Sequence, residues 1–327
     1  MRMTRVRAVR SLARGGWRGT LIVLTAAIAA GSCAPGDADR STPDQDVATT
    51  DEEYTSVEAV DDAGRTVRLA RPAARVVSIV PAATETLVAI GGGDLLVGRT
   101  DFDDASLEHL PSVGGGLTPS IEVIASLRPD LVIAWEEAGA ARVRPRLESL
   151  GIPVFAVATL DTADIFATID RLGRLTGRDA GANALAATLR RELDAVQRSV
   201  SGRETPGVLY MISLDPPMVA GPGLFIGELV EVAGGRNIFA DVTTPSPQVS
   251  LEEIVRRRPD VVIVPASGEG EKAVEHVKAQ PGWRELAASG ARFIALPADT
   301  LHRPGPGIGA ATRRIRDAIH PGVTTAP

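Results

Sequence analysis

Ser120 to Ala134 reads SIEVIASLRPDLVIA, and Ser250 to Val264 reads SLEEIVRRRPDVVIV. The two stretches lie 130 residues apart and agree at eight of fifteen positions: the Ser, the Glu two residues on, one Ile, the Arg-Pro-Asp triplet and a Val-Ile pair. A repeat of this kind implies two similar structural units. Each copy has the same mechanical reading. Ser120 or Ser250 caps a helix, Glu122 or Glu252 sits in the first turn where a negative charge complements the helix dipole, and Pro129 or Pro259 ends it. The apolar run after Asp130 or Asp260 is then a buried parallel strand.

Working outward, RVVSIVP (75–81) and VLYMIS (208–213) read as the first strand of each unit. Helices are expected over Thr84 to Ile90 and Ile226 to Ala233, each ending at a glycine cluster. Between the units, Thr162 to Val200 keeps helical spacing, interrupted only by Gly173 and Gly177. Its later part, with Ala182, Leu185, Ala186, Leu189, Leu193 and Val196 on one stripe, predicts a rod of about 33 Å at 1.5 Å per residue. The expected fold is α/β. Two similar lobes with mainly parallel sheets, residues 56–161 and 204–320, are joined through 162–203 by a single long backbone helix that limits hinge motion.

The chain has 327 residues, with 35 Lys plus Arg against 41 Asp plus Glu, a net charge of −6 and a pI near 5.4. That balance argues against nucleic acid as a partner. Six of the arginines (Arg2, Arg5, Arg7, Arg10, Arg14, Arg18) precede the first acidic residue, Asp37. Behind them, Leu21 to Ala30 is an apolar run too short to span a bilayer but of the length of a secretory signal. Ala30-Gly-Ser-Cys33 follows and resembles a bacterial lipobox, differing at Ala30, where Leu is usual. Cys33 is the only cysteine. Residues 1–32 are therefore expected to be a lipoprotein signal peptide, and 33–55 a lipidated Cys33 followed by a solvated tether rich in Asp, Thr, Pro and Ser. Removing the leader leaves 29 basic residues against 41 acidic ones, a net charge of −12.

From about Ser56 to Ile319 the sequence resembles the helical-backbone (class III) periplasmic binding proteins, the receptors of ABC importers for cobalamin, iron-siderophores and haem. The motifs are Asp62-Ala-Gly-Arg65, RVVSIVPAATETLVAIGGGDLLVG (75–98), the two Ser-x-Glu and Arg-Pro-Asp segments, and AGGRNIF (233–239). Within the family it is most similar to the cobalamin receptors, through Ile133-Ala134-Trp135, Asp215-Pro216-Pro217 and Pro247 to Ser250. The resemblance implies a ligand cleft between the lobes, no enzymatic activity and no cofactor beyond the transported chelate. It implies a membrane permease as partner, with Glu122 and Glu252 docking on its arginines. It also implies a periplasmic or cell-surface location, with the anchor on Cys33.

Ligand-contacting positions implied by the same resemblance are Ala82, Phe102, Trp135, Met218 and the loop Asp299, Thr300, Leu301, His302 and Arg303. Phe102 and Trp135 offer apolar surface for a flat macrocycle. The sequence departs from the cobalamin receptors at Gly116 and Ser246, where they carry tryptophan, and at Met218, where an aromatic is expected. The cleft therefore loses stacking surface, and an iron-siderophore or haem stays open beside a corrinoid.

Other chemistry finds little support. His109, His276, His302 and His320 show no paired spacing, so no resident metal is expected. Gly221 to Gly227 lacks the GxGxxG spacing of a phosphate loop, and no GxSxG elbow supports a secreted α/β hydrolase. A purely adhesive or scaffolding lipoprotein is the remaining competitor from another class.

Overall fold

The computed structural model describes residues 55–136, 141–266 and 270–323. The described residues belong to one compact unit. The leader, Cys33 and the tether lie outside the described residues, as does Glu137. No helix among the described residues is long and apolar enough to cross a membrane.

Each repeat copy folds as its residues dictate. Ile121–Ser126 and Leu251–Arg257 are helices. Ser120 Oγ accepts the Val123 N–H and Ser250 Oγ accepts the Glu253 N–H, both at 3.2 Å, which satisfies one of the orphan donors of each helix start. Past the helix end, Arg128 and Arg258 adopt left-handed φ of 46° and 48°, the only described non-glycine residues with positive φ. The following proline bars them from continuing the helix. Asp130 and Asp260 then perform a task that the repeat alone does not reveal. The Asp130 carboxylate accepts the N–H groups of Ala74 (2.9 Å) and Arg75 (3.1 Å), and the Asp260 carboxylate accepts that of Gly207 (2.6 Å). Each aspartate thereby ties the start of its own strand to the start of the neighbouring one.

The N-terminal lobe has a four-stranded parallel sheet in the order Leu96–Gly98, Val76–Ser78, Leu131–Trp135, Val154–Val157. The C-terminal lobe repeats this arrangement with Arg236–Asn237, Gly207–Leu214, Val261–Ala266 and Arg292–Pro297 in parallel. It adds an antiparallel strand, Pro217–Val219, beside the far half of Gly207–Leu214. The central strands are apolar on both faces and buried, as parallel sheets require. Helices after the first strand of each lobe run over Pro81–Ala89 and Phe225–Val232.

Residues in and beside the motifs that carry the resemblance hold the frame together. Asp62 pairs with Arg171 at 2.5 Å and accepts the Ala158 N–H, while buried Asp61 pairs with Arg144 at 2.6 Å. Together they fasten the N-terminal hairpin (Val57–Val60 with Thr66–Leu69) to the lobe. In AGGRNIF, buried Asn237 donates to the Ala220 carbonyl and accepts the Phe239 N–H.

Two helices connect the lobes, Thr162–Thr176 and Asp179–Ser199. The break falls at Gly177, left-handed at φ 65°, whereas Gly173 stays helical. A Cβ at Gly173 would lie 2.5 Å from the Ala182 Cβ, so its glycine lets the two helices approach closely. The longer helix starts on the N-terminal lobe, where Arg178 pairs with Asp94 at 2.8 Å and Gly181 packs on the Ile90 carbonyl. Farther along it meets the C-terminal lobe, with Glu192 paired to Arg313 at 3.5 Å and Ser199 Oγ accepting from Arg316. Both ends are fixed by short-range contacts, which makes the helix a strut between the lobes.

Candidate ligand cleft and docking face

Ligands of open parallel sheets bind outside the carboxyl ends of the strands, and here those ends of the two lobes meet. The Phe225 N–H donates to the Leu160 carbonyl. Glu228 accepts from the N–H and hydroxyl of Thr162 at 2.8 and 2.6 Å. Arg303, from the C-terminal lobe, donates to Glu85 at 2.5 Å and to the Phe102 carbonyl at 3.0 Å, both in the N-terminal lobe.

The N-terminal wall is apolar. Phe102 is 63% exposed, yet the loop beneath it is rigidly built. Asp103 accepts from the N–H and hydroxyl of fully buried Thr100, whose hydroxyl in turn accepts the Phe102 N–H. An exposed aromatic on a fixed loop is pre-organised contact surface. Trp135, at the end of its strand, lines a cavity of 310 Å³ with Leu117, Glu136, Val157, Ala158, Thr159 and Leu160. Phe102 packs toward Gly115, on the hairpin that carries Leu117.

Leu117 and Leu160 are 58% and 53% exposed, and sequence reasoning had missed both. Neither lies in a motif. The usable signal was positional: each falls in a short segment just beyond a strand end, where an apolar residue has no core to enter. The structure also explains Gly116. A Cβ there would stand 2.5 Å from the Ile79 carbonyl oxygen, so this backbone admits no larger residue, and Leu117 beside it supplies the apolar surface.

The C-terminal wall brings together only part of the expected set. Asp299 and Leu301 lie in a short helix, Ala298–Leu301, with His302 as its C-cap. Leu301 is 1% exposed and belongs to the core, and the Thr300 side chain lies outside the described ones. His302 is half-buried with its ring 6.0 Å from that of Tyr210. Burial lowers the His302 pKa, so the ring is neutral at pH 7, and burial raises that of the Tyr210 phenol. Neither Tyr210 Oη nor His302 Nε2 has a hydrogen-bond partner among the described residues. Tyr210 was not among the residues read from the sequence, where it looks like any apolar strand residue. Met218 is half-buried, facing Ser213 across the antiparallel pair and Gln248 across an isolated bridge. Ala82 is buried against the C-terminal loop, its carbonyl 3.1 Å from where a Gly305 Cβ would stand. Among the described residues no group of three His, Cys, Asp or Glu could hold a metal ion.

Glu122 and Glu252 are exposed in the first turns of their helices. Each helix runs opposite to the strand it feeds, so its first turn lies at the same end of the lobe as the cleft. Arg146 pairs with Glu122 at 3.4 Å. Glu252 is instead stabilised in its ionised form by its own backbone N–H and by Ser250, which lower its pKa.

Residues 76–300 match the family model described as periplasmic binding protein. The chain belongs to that family. The vitamin B12-binding protein of Vibrio cholerae is 31% identical over 239 residues, covering 72% of this chain and 85% of that protein. The crystal structure of the periplasmic vitamin B12 binding protein of Vibrio cholerae superposes with a TM-score of 0.64 at 28% identity, over 76% of this chain and 97% of that one. A periplasmic heme binding protein from Pseudomonas aeruginosa gives 0.66 at 28%, over 78% and 95%. Family membership places the chain among binding proteins rather than enzymes, and the two-lobed α/β expectation stands. The two structures are equally similar in fold, so the backbone does not choose between a corrinoid and haem.

Proposed function

We propose that this protein is the solute receptor of an ABC importer, lipidated at Cys33, that captures a corrinoid and passes it to a membrane permease. The observation that carries the reading is the cleft itself. An apolar platform of Phe102, Leu117, Trp135 and Leu160 on one lobe faces the His302–Arg303 loop of the other, at strand ends where this fold binds ligands. The curated relatives named for vitamin B12 add support. Haem and ferric siderophores are the competing ligands, the first supported by the likeness to the Pseudomonas protein.

Titrating cyanocobalamin, haem and ferric siderophores while following tryptophan fluorescence tests the reading. Cyanocobalamin should quench saturably, and Trp135→Ala should remove most of the quenching and weaken binding by about tenfold, the loss of one buried aromatic contact. If no chelate saturates, the receptor reading fails. For the anchor, Cys33→Ser should move the protein out of the membrane fraction; unchanged partitioning would sink lipidation.

A further inference from the structure

Arg303 is a cation that the C-terminal lobe brings to the cleft, and it arrives already engaged. One nitrogen of its guanidinium bonds Glu85 and another the Phe102 carbonyl, both across the lobe boundary, with Glu85 and Arg303 each about one third exposed. Carboxylates lie close by, and Asp104, whose pKa is lowered first by hydrogen bonds from Ser106, is near enough for the Arg303 charge to lower it further. Asp101, Asp103 and Asp104 flank Phe102 on its loop, and Glu136 lines the Trp135 cavity. Arg99, at the start of that loop, turns back onto the Thr100 carbonyl.

We propose that the Glu85–Arg303 pair makes the cleft select metal chelates without net negative charge, bearing a neutral amide or hydroxamate periphery, while the same arginine positions Phe102. This rests on the receptor reading above and sharpens its ligand class. A carboxylate-bearing ligand meets an arginine whose charge Glu85 has already neutralised. To use it, the ligand must draw the guanidinium away, which leaves Glu85 unpaired beside a second anion and loosens the bond to Phe102. A neutral carboxamide needs no such exchange. A guanidinium has five N–H donors, and the two bonds to Glu85 and Phe102 use only part of them, so an amide oxygen can be bound without breaking either. Glu85 is thus a positioning residue that acts through Arg303.

The test compares ligands of one shape and different charge. Cyanocobalamin is paired with its monocarboxylic acid, in which one amide becomes a carboxylate, and ferrioxamine B with its N-succinyl derivative, in which a carboxylate replaces the cationic amine. In whichever pair binds, the less negative member should bind about tenfold more tightly at low salt. Raising the ionic strength to about 0.5 M should shrink that ratio, because screening acts on charge and leaves shape untouched. Glu85→Gln keeps a hydrogen-bond partner for Arg303 but removes the charge, and should narrow the ratio to within about twofold.

A wild-type ratio near one, or a ratio that neither salt nor Glu85→Gln changes, would overturn the proposal. The outcomes also separate it from the corrinoid reading. Ferrioxamine B held about tenfold more tightly than its N-succinyl derivative, with no corrinoid binding, would end the corrinoid assignment and support charge selection. Binding of haem alone would end charge selection and leave the receptor role standing. Binding by nothing would end both.

Discussion

The two copies of the Ser-x-Glu…Arg-Pro-Asp unit have the same backbone and different surroundings. From position 121 and position 251 onward they share the capped start, the left-handed arginine, the buried proline and the aspartate that stitches two strands. Ile124 and Ile254 are both 0% exposed, each in the core of its own lobe. The difference begins where the unit meets a neighbour that was not duplicated with it. In the N-terminal copy, Arg146 reaches back to Glu122, and the strand ends on Trp135 at the cleft. In the C-terminal copy the adjacent helix, Trp283–Ala288, contributes Glu285 to the cavity that Glu252 lines, and the strand ends on Pro265 and Ala266. The shared residues build a frame, and the unshared ones give its two ends different surroundings.

The stitching aspartates give the comparison its largest expected break. Hydrogen bonds to a charged group contribute roughly 1.5–3 kcal/mol each to stability, and Asp130 accepts two N–H groups just ahead of a strand where Asp260 accepts one at a strand start. Asp130→Ala should therefore cost about 2–3 kcal/mol and Asp260→Ala about 1.5 kcal/mol, read as unfolding free energies in denaturant. Equal losses would show that the second N–H contributes nothing. A loss confined to one lobe would show that the strand tie is not the common role of the repeat.

How much of this was legible follows from the kind of interaction each residue makes. Ser120, Glu122, Pro129 and their partners were readable because caps, first-turn charges and helix stops act over three or four residues of sequence. The role of Asp130 was not, because its partners Ala74 and Arg75 lie more than 50 positions upstream and only the sheet brings them near. Phe102 and Trp135 were expected at the cleft only through the family resemblance, which carries long-range information the local pattern lacks. Leu117 and Leu160 matched no motif, and Leu301, drawn in with its neighbours, is buried where the short helix turns it inward. Gly116 shows the limit from the other side. Its departure from tryptophan was plain in the sequence, but the reason, the Ile79 carbonyl lying against it, is a tertiary contact.

The smallest expected effect on stability, and the sharpest on function, concerns the two glutamates. Both side chains are exposed, so charge reversal at either should change stability by less than about 0.5 kcal/mol. The docking on a permease that the resemblance implies for both should nonetheless tell them apart. Glu122 already spends part of its field on Arg146, an exposed pair with side chains 75% and 68% accessible and worth at most about 1 kcal/mol. Glu252 has no basic partner of its own among the described residues, and the groove beside it is lined by Glu285 as well as Arg256, which pairs with Glu253. Glu252→Arg should thus reduce ligand uptake by about tenfold and Glu122→Arg by a few-fold, with ligand affinity unchanged in both. Arg146→Ala, by freeing Glu122, should raise uptake or leave it level. Equal losses from the two reversals would mean that the Arg146 pair opens at no cost when the partner arrives. Reduced ligand affinity in either would move that glutamate from the docking face into the architecture of the cleft.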